Sequence, residues 1–181
     1  MSIFGDAIDA VTPTESREDR IEARQRARTL AGPGDWLSMI LDHHDRIEQA
    51  FAETKSATGE ARTAALRQLA VLLNGHSLAE EVVVYPAMAE TGETGHASHG
   101  YKEQATVKIE MAELEKLPPS SEEFIEKLEK IEEAVAHHVY EEETTWFPDL
   151  KRAAGIDELL IARRYKEEFD RYAGEGRAML R

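Results

Sequence analysis

Residues 76–86 read His-Ser-Leu-Ala-Glu-Glu-Val-Val-Val-Tyr-Pro, and residues 138–148 read His-Val-Tyr-Glu-Glu-Glu-Thr-Thr-Trp-Phe-Pro. Each stretch places a glutamate four positions after its histidine and a proline ten positions after it, and the two begin 62 residues apart. On a helix, side chains at i and i+4 lie one turn apart on the same face, so each pair can reach one metal ion. Two such helices facing each other predict a dinuclear metal site inside a helical bundle.

Helical periodicity covers most of the chain, and strand signals are nearly absent. The predicted helical segments are 15–31, 36–55, 60–90, 96–117, 121–153 and 157–179. The four central segments are joined by short connections, which favour antiparallel neighbours. The sequence therefore predicts an all-α fold, an up-down-up-down four-helix bundle at 35–155. We expect 1–34 to be an arm that is part helical and part disordered, and 156–181 to be a C-terminal helix packed outside the bundle.

The composition excludes several classes of function. The 181 residues carry 22 Lys and Arg against 36 Asp and Glu, a net charge of −14, whereas a nucleic-acid-binding surface is basic. Cysteine is absent, which excludes disulfides and thiolate ligands and is compatible with a reducing cytoplasm. No signal peptide is visible and no apolar stretch is long enough to span a bilayer. We therefore expect a cytoplasmic protein that binds neither nucleic acid nor a membrane.

All the histidines of the chain lie in or beside such pairs. They are His43, His44, His76, His96, His99, His137 and His138. On the first bundle helix His44 precedes Glu48 by four residues, and on the third His99 precedes Glu103 by four. A single pair of this kind on an exposed helix is usually a surface ion pair, which is the simpler interpretation for Glu48. For His99 and Glu103 both interpretations stay open.

Imidazole nitrogens combined with carboxylates suit iron, manganese or zinc, whereas magnesium and calcium prefer oxygen ligands. Glu80 and Glu142 are the natural bridging carboxylates. The expected terminal ligands are His44, His76, His99 and His138, with Glu103 as a further candidate. We expect the remaining histidines to lie beside the site or in a turn, and the aromatic side chains, including Tyr85, to serve packing.

The order His…HxxxE…His…HxxxE resembles the hemerythrin-like HHE cation-binding domains over residues 36–152. The resemblance implies an up-down bundle around a non-haem di-iron centre. It maps the family's ligands onto His44, His76, Glu80, His99, His138 and Glu142. One position departs from the pattern, because the family's third-helix histidine falls at Gln104 and the nearest histidine is His99, which brings Glu103 with it. This arrangement resembles an H–HxxxE–HxxxE–HxxxE variant, in which the additional carboxylate disfavours simple reversible O2 carriage.

Three functions follow as alternatives. The leading one is a protein with two iron ions, joined by an oxo or hydroxo bridge when oxidised, that binds or reacts with O2, hydrogen peroxide or nitric oxide. Its most concrete form is catalase-like peroxide disproportionation, and manganese or zinc is a less favoured occupant than iron. The second is a non-enzymatic module that senses oxygen or iron, or stores iron. The third is a helical scaffold whose histidines bind no metal tightly. The sequence identifies no protein partner.

Overall fold

Helices account for almost all of the residues that the computed structural model describes, which are 15–179, with side chains described from 15 to 174. The elements are α1 (Arg17–Leu30), α2 (Trp36–Ser56), α3 (Gly59–Ala79), π1 (Glu80–Val84), α4 (Tyr85–Glu90), α5 (Thr94–Leu114), α6 (Glu122–Glu141), π2 (Glu142–Trp146), α7 (Phe147–Arg152) and α8 (Glu158–Met179). No strand occurs between 15 and 179. The predicted all-α class is confirmed.

Four helical columns form the bundle: α2, the continuous run α3–π1–α4, then α5, and the continuous run α6–π2–α7. Consecutive columns pack against each other, and α6 also packs on α2, which closes the ring. The connections between columns are only a few residues long, so consecutive columns run antiparallel. The predicted four-helix bundle is confirmed.

Local sequence sets where the columns begin. The Asp35 side chain accepts a hydrogen bond from the Ser38 N–H at 2.7 Å and caps α2, and the Ser121 hydroxyl accepts one from the Phe124 N–H at 3.1 Å and caps α6. Each column then turns an apolar stripe inward, including the fully shielded rings of Trp36 and Phe124. These caps and stripes fix which face of each column meets the bundle axis.

Both long columns contain a π-helical turn at the same point of the repeated motif. In each, the N–H of the aromatic residue before the proline donates to the carbonyl of the motif glutamate five residues earlier, Glu80 or Glu142. Pro86 and Pro148 follow directly. Proline lacks an N–H and clashes with the carbonyl four residues earlier in a regular α-helix, and a local π turn relieves both problems. The helical periodicity predicts uninterrupted α-helices here, and the matched prolines are the signal for the π turns.

Two further helices flank the bundle. Helix α1 packs across α2, α6, π2 and α7 through its buried Ala23 and Ala27, so the expected arm is helical over Arg17–Leu30. The expected disorder of the arm falls on residues 1–14, which lie outside the described part. Helix α8 packs on α3, α2 and π1 through Ile161, Tyr165 and Phe169. Between residues 15 and 179 no helix is both long and apolar enough to cross a bilayer.

Candidate metal centre

Four metal-binding side chains from three columns converge at the centre of the bundle. They are His44 on α2, His76 on α3, Glu80 at the start of π1 and Glu142 at the start of π2. All four are buried, and one donor atom of each lies within 4.8 Å of the others. The i, i+4 spacing of the motif produces this arrangement, because it turns the histidine and the glutamate of each pair toward the same axis.

Glu142 stands between two histidines. Its Oε2 lies 3.4 Å from His44 Nε2, and its Oε1 lies 3.2 Å from His138 Nε2. Glu80 lies beside the first group, with Oε2 at 3.3 Å from His76 Nε2 and Oε1 at 4.0 Å from His44 Nε2. The Glu142 carboxylate therefore has one oxygen directed to each half of the site, as a bridging ligand requires.

Several inward-facing atoms lack a hydrogen-bond partner among the described residues. His44 Nε2, Glu80 Oε1 and Glu142 Oε2 are shielded from solvent and unpaired. Leaving such an atom unsatisfied costs about 1–3 kcal/mol, so buried polar groups are normally paired. Metal–ligand bonds of about 2.0–2.2 Å place neighbouring donor atoms roughly 3–4 Å apart, which matches the spacing here. The residues present fit a metal ion.

Two of the buried histidines are held by a carboxylate on the ring nitrogen that faces away from the cluster. His44 Nδ1 lies 2.8 Å from Glu143 Oε1, and His138 Nδ1 lies 2.8 Å from Glu103 Oε2. Because a carboxylate accepts the Nδ1 proton, Nε2 keeps its lone pair directed at the cluster. Arg24 of α1 supports the first pair by donating from Nε to Glu143 Oε1 at 2.8 Å. A residue of the N-terminal helix thus acts on a candidate ligand through one carboxylate.

The third buried histidine is held by the C-terminal helix. The hydroxyl of Tyr165 lies 3.0 Å from His76 Nδ1 and 2.8 Å from His43 Nδ1, and Tyr165 is fully buried. For His76 to present its Nε2 lone pair, its Nδ1–H donates to the Tyr165 oxygen and the Tyr165 hydroxyl donates to His43. A chain of three side chains therefore orients this ligand.

The His138 side of the cluster carries a tyrosine and a glutamine. Gln104 Nε2 donates to Glu80 Oε2 and to the Tyr85 hydroxyl, each at 2.7 Å. The Tyr85 hydroxyl donates to Glu142 Oε1 at 2.9 Å and lies 3.1 Å from His138 Nε2. The expected packing role of Tyr85 is confirmed for its ring, which is fully buried, but its hydroxyl also lies among the candidate ligands.

Gly100 of α5 makes room for this tyrosine. A Cβ atom at position 100 would lie 2.7 Å from Tyr85 Cζ and 2.9 Å from the Tyr85 oxygen, closer than nonbonded carbon atoms approach. Only glycine allows the ring and the α5 backbone to pack so closely. The hydroxyl position is therefore fixed by the backbone of a neighbouring column.

Comparison with known proteins follows the same lines as the geometry. Residues 36–150 match the family model of the hemerythrin HHE cation binding domain. This chain belongs to that family. A "DNA nickase" of Nostoc sp. (strain PCC 7120 / SAG 25.82 / UTEX 2576) is 26% identical over 114 residues, which make up 62% of this chain and 32% of the nickase. The chain thus spans about a third of the length of that relative. No solved structure matches the chain.

Two buried histidines of the HHE domain, His44 and His138, have raised pKa values because carboxylates lie next to them. Burial alone would lower the pKa of His44, but the nearby carboxylates of Glu142 and Glu143 outweigh it and raise the pKa to about 9. Burial opposes the same shift at His138, yet the charge of Glu142 and the hydrogen bond with Glu103 raise its pKa well above the usual value. Metal ions would take over the role of these protons, because ligands bind metals in their deprotonated forms.

The pKa values of the two central carboxylates are shifted in opposite directions. Burial raises the pKa of Glu80 well above its usual range, and the nearby charge of Glu142 raises it further. Burial would also raise the pKa of Glu142, but His138 and His44 hold it well below its usual range. Burial lowers the pKa of His76, and the charges of His44 and His43 lower it further, so its imidazole is neutral. Of the two carboxylates, Glu80 is therefore the one that takes up a proton more readily.

The seven residues expected as ligands are divided between two places in the HHE domain. The buried cluster contains His44, His76, Glu80, Glu142 and, on the far side of Glu142, His138. His99 does not enter this cluster. It is half exposed, and its Nε2 lies 3.2 Å from Glu103 Oε1 and 3.5 Å from Glu141 Oε2. Glu103 lies behind His138, against the nitrogen directed away from the centre. Glu48 is exposed as expected, but it pairs with Arg24 rather than with His44, which is buried.

Four residues at the site were not expected there from the sequence. They are Tyr85, Gln104, Glu143 and Tyr165. Glu143 directly follows a motif glutamate, and Gln104 occupies the position of the family's histidine, so both had a signal. Tyr165 lies 89 residues from His76 and had none.

Proposed function

We propose that this HHE domain holds two iron ions in the buried cluster and binds or reacts with O2, hydrogen peroxide or nitric oxide. The observation that supports this best is the set of unpaired buried atoms, His44 Nε2, Glu80 Oε1 and Glu142 Oε2, with Glu142 lying between His44 and His138. Three imidazoles with two carboxylates are a nitrogen-rich set that favours iron over magnesium or calcium. Manganese and zinc remain less favoured occupants.

Iron in this cluster would supply reversible one-electron chemistry at each ion. The residues of the chain would bind the ions, orient the ligands and shield both from water. Glu80 and Glu142 neutralise cationic charge, and Glu143, Glu103 and Tyr165 hold the imidazoles in the ligating tautomer. The Tyr85 hydroxyl donates its proton to Glu142 Oε1 at 2.9 Å, and a small bound molecule could accept this hydrogen bond in place of Glu142.

We propose that small molecules approach this cluster from one side of the bundle. A groove of about 820 Å³ lies between α1, α2 and the column α6–π2, and it reaches His44 and Glu143. The ligands themselves are shielded from bulk water. The most concrete activity is peroxide disproportionation, in which two molecules of hydrogen peroxide give two of water and one of O2.

Metal content and peroxide turnover test the proposal together. After anaerobic Fe(II) reconstitution, about two iron atoms per chain are expected by elemental analysis, together with O2 release from hydrogen peroxide. Glu142→Gln should lose iron and activity, while Glu48→Gln should lose neither because Glu48 pairs with Arg24 at the surface. A chain that binds no iron after reconstitution would refute the proposal, and so would full activity of folded Glu142→Gln.

The alternative is a sensing or storage module, and one observation favours it. Both flanking helices touch groups that hold the ligands, α1 through Arg24 and α8 through Tyr165, so they would respond to occupancy. This alternative predicts a large metal-dependent rise in thermal stability without peroxide turnover. Under either function we propose that the acidic chain itself does not bind nucleic acid and acts in the cytoplasm.

A further inference from the structure

A second group of metal-binding side chains lies outside the buried cluster, at the rim of the bundle. It consists of His99 and Glu103 on α5 and Glu141 at the end of α6, and one donor atom of each lies within 4.8 Å of the others. The His99 side chain is 52% exposed, whereas Glu103 and Glu141 are partly buried. We call this group the rim cluster.

The rim cluster has more acceptors than donors. Glu103 Oε1 and Glu141 Oε2 both face the same nitrogen, His99 Nε2, at 3.2 and 3.5 Å. One N–H can serve only one of them well, and Glu141 Oε2 is shielded from solvent without a hydrogen-bond partner among the described residues. Two carboxylate oxygens and one imidazole nitrogen at this spacing are the donors that a divalent transition-metal ion takes.

An ordinary ion pair on the same helix provides the contrast. His96 Nδ1 lies 3.1 Å from Glu93 Oε2, and both side chains are partly exposed. No further carboxylate joins this pair in the sets of possible ligands found between residues 15 and 179. His96 and Glu93 therefore have the geometry of a surface salt bridge, whereas the rim cluster adds a third donor from another column.

We propose that the rim cluster is a separate, exchangeable site for one divalent transition-metal ion. Its open side would leave coordination positions to water, which suits an ion that enters and leaves. The site is linked to the buried cluster through Glu103, because Oε1 faces His99 while Oε2 lies 2.8 Å from His138 Nδ1. An ion at the rim would draw electron density from Glu103, weaken its hold on the His138 N–H, and so alter the basicity of His138 Nε2. Because its three donors lie outside the buried cluster, the rim site does not require a particular ion in that cluster.

Co²⁺ is a suitable probe, because it quenches nearby tryptophan fluorescence. The ring of Trp146 lies 5.9 Å from that of His99 and 5.6 Å from that of His138, so it reports on both clusters. Bound Co²⁺ per chain is counted by equilibrium dialysis of the full chain, and Trp146 quenching is followed in parallel. His99→Gln and Glu141→Gln should each remove about one ion per chain or weaken that ion at least about tenfold. His96→Gln is the matched control and should bind as the wild type does.

The buried cluster is tested separately with Glu142→Gln. We expect this variant to lose ions from the buried cluster and to keep the ion that His99→Gln loses, which distinguishes the rim site from the proposed function. Glu103→Gln should weaken both sites, because Glu103 contacts both His99 and His138. Unchanged Co²⁺ binding in folded His99→Gln and Glu141→Gln would overturn the rim site. Loss of the buried ions in His99→Gln would overturn it too, since His99 would then be a ligand of the central site.

Discussion

Tyr165→Phe removes one hydroxyl that serves two buried imidazoles, and its effect can be worked out from the structure. The ring stays, so packing is conserved, and the loss comes from the Nδ1 atoms of His76 and His43, which lie 3.0 and 2.8 Å from the hydroxyl. A buried polar group left unpaired costs about 1–3 kcal/mol. His76 is 2% exposed and cannot recover a partner, whereas His43 is 9% exposed and can recover part of the loss from water. We expect the free energy of unfolding to fall by about 3 kcal/mol.

Urea unfolding of the metal-free protein measures this change, and Tyr101→Phe is its control. The Tyr101 hydroxyl also makes one hydrogen bond, to the Glu81 carbonyl at 2.6 Å, but Tyr101 is 39% exposed. Its loss should stay within about 1 kcal/mol, because water replaces the donor. Tyr165→Phe should also weaken metal binding about 10–100-fold, since His76 loses the group that orients it. If the two variants unfold at the same urea concentration, the Tyr165 chain does not support the site.

Three further predictions follow from contacts around the cluster. Arg24→Gln removes the cation beside Glu143, which is 1% exposed, and should lower the free energy of unfolding in urea by about 2–3 kcal/mol. The control Arg26→Gln breaks an exposed pair with Glu22 and should change that free energy by no more than about 0.5 kcal/mol. Equal losses would contradict the role of Arg24. Gly100→Ala places a Cβ 2.7 Å from Tyr85 Cζ and should lower the stability measured by thermal unfolding by about 1–3 kcal/mol. In the control Gly95→Ala the added Cβ meets open space and should not destabilise the protein. A neutral Gly100→Ala would show that Tyr85 moves freely. In the metal-free protein the pKa of His44 is about 9, against 6.5 in the unfolded chain, so its contribution to stability is full below pH 6.5 and is lost as the pH rises through 9. We expect the free energy of unfolding, measured in urea with a chelator, to fall by about 3 kcal/mol between pH 6.5 and 9.5. This fall should be absent in His44→Gln.

The fold could be predicted because its determinants are local. Glycine and proline separate the helical segments, Asp35 and Ser121 cap them, and apolar stripes recur at the helical period. The repeated motif also predicted that His76, Glu80, His138 and Glu142 face one centre. The π turns were missed because the periodic pattern continues through them, although the prolines at the same motif position indicated them.

The location of His99 could not be inferred from its spacing to Glu103. The same i, i+4 spacing occurs in pairs that face the centre and in pairs that face solvent, so the facing column decides. His99 lies five residues before Gln104, which corresponds to roughly 140° around a helix. Because Gln104 is buried against Glu80, His99 is turned to the rim. Tyr165 was missed for another reason, since no sequence pattern connects a C-terminal helix to a histidine 89 residues earlier.

Each long column contains one π turn, which divides it into a helix before the turn and a helix after it. The turn sets how the side chains of the second helix are rotated about the column axis relative to those of the first. One residue more per turn rotates everything that follows by about 100° relative to an unbroken α-helix. The histidine of each motif lies before the turn, the glutamate is the first residue of the turn, and Tyr85 or Phe147 follows it. Deleting one residue from Val82–Val84 would leave His76 and Glu80 facing the axis and swing Tyr85 away from it. A change of one residue in length, rather than a substitution, is therefore enough to remove the Tyr85 hydroxyl from the cluster while His76 and Glu80 stay in place.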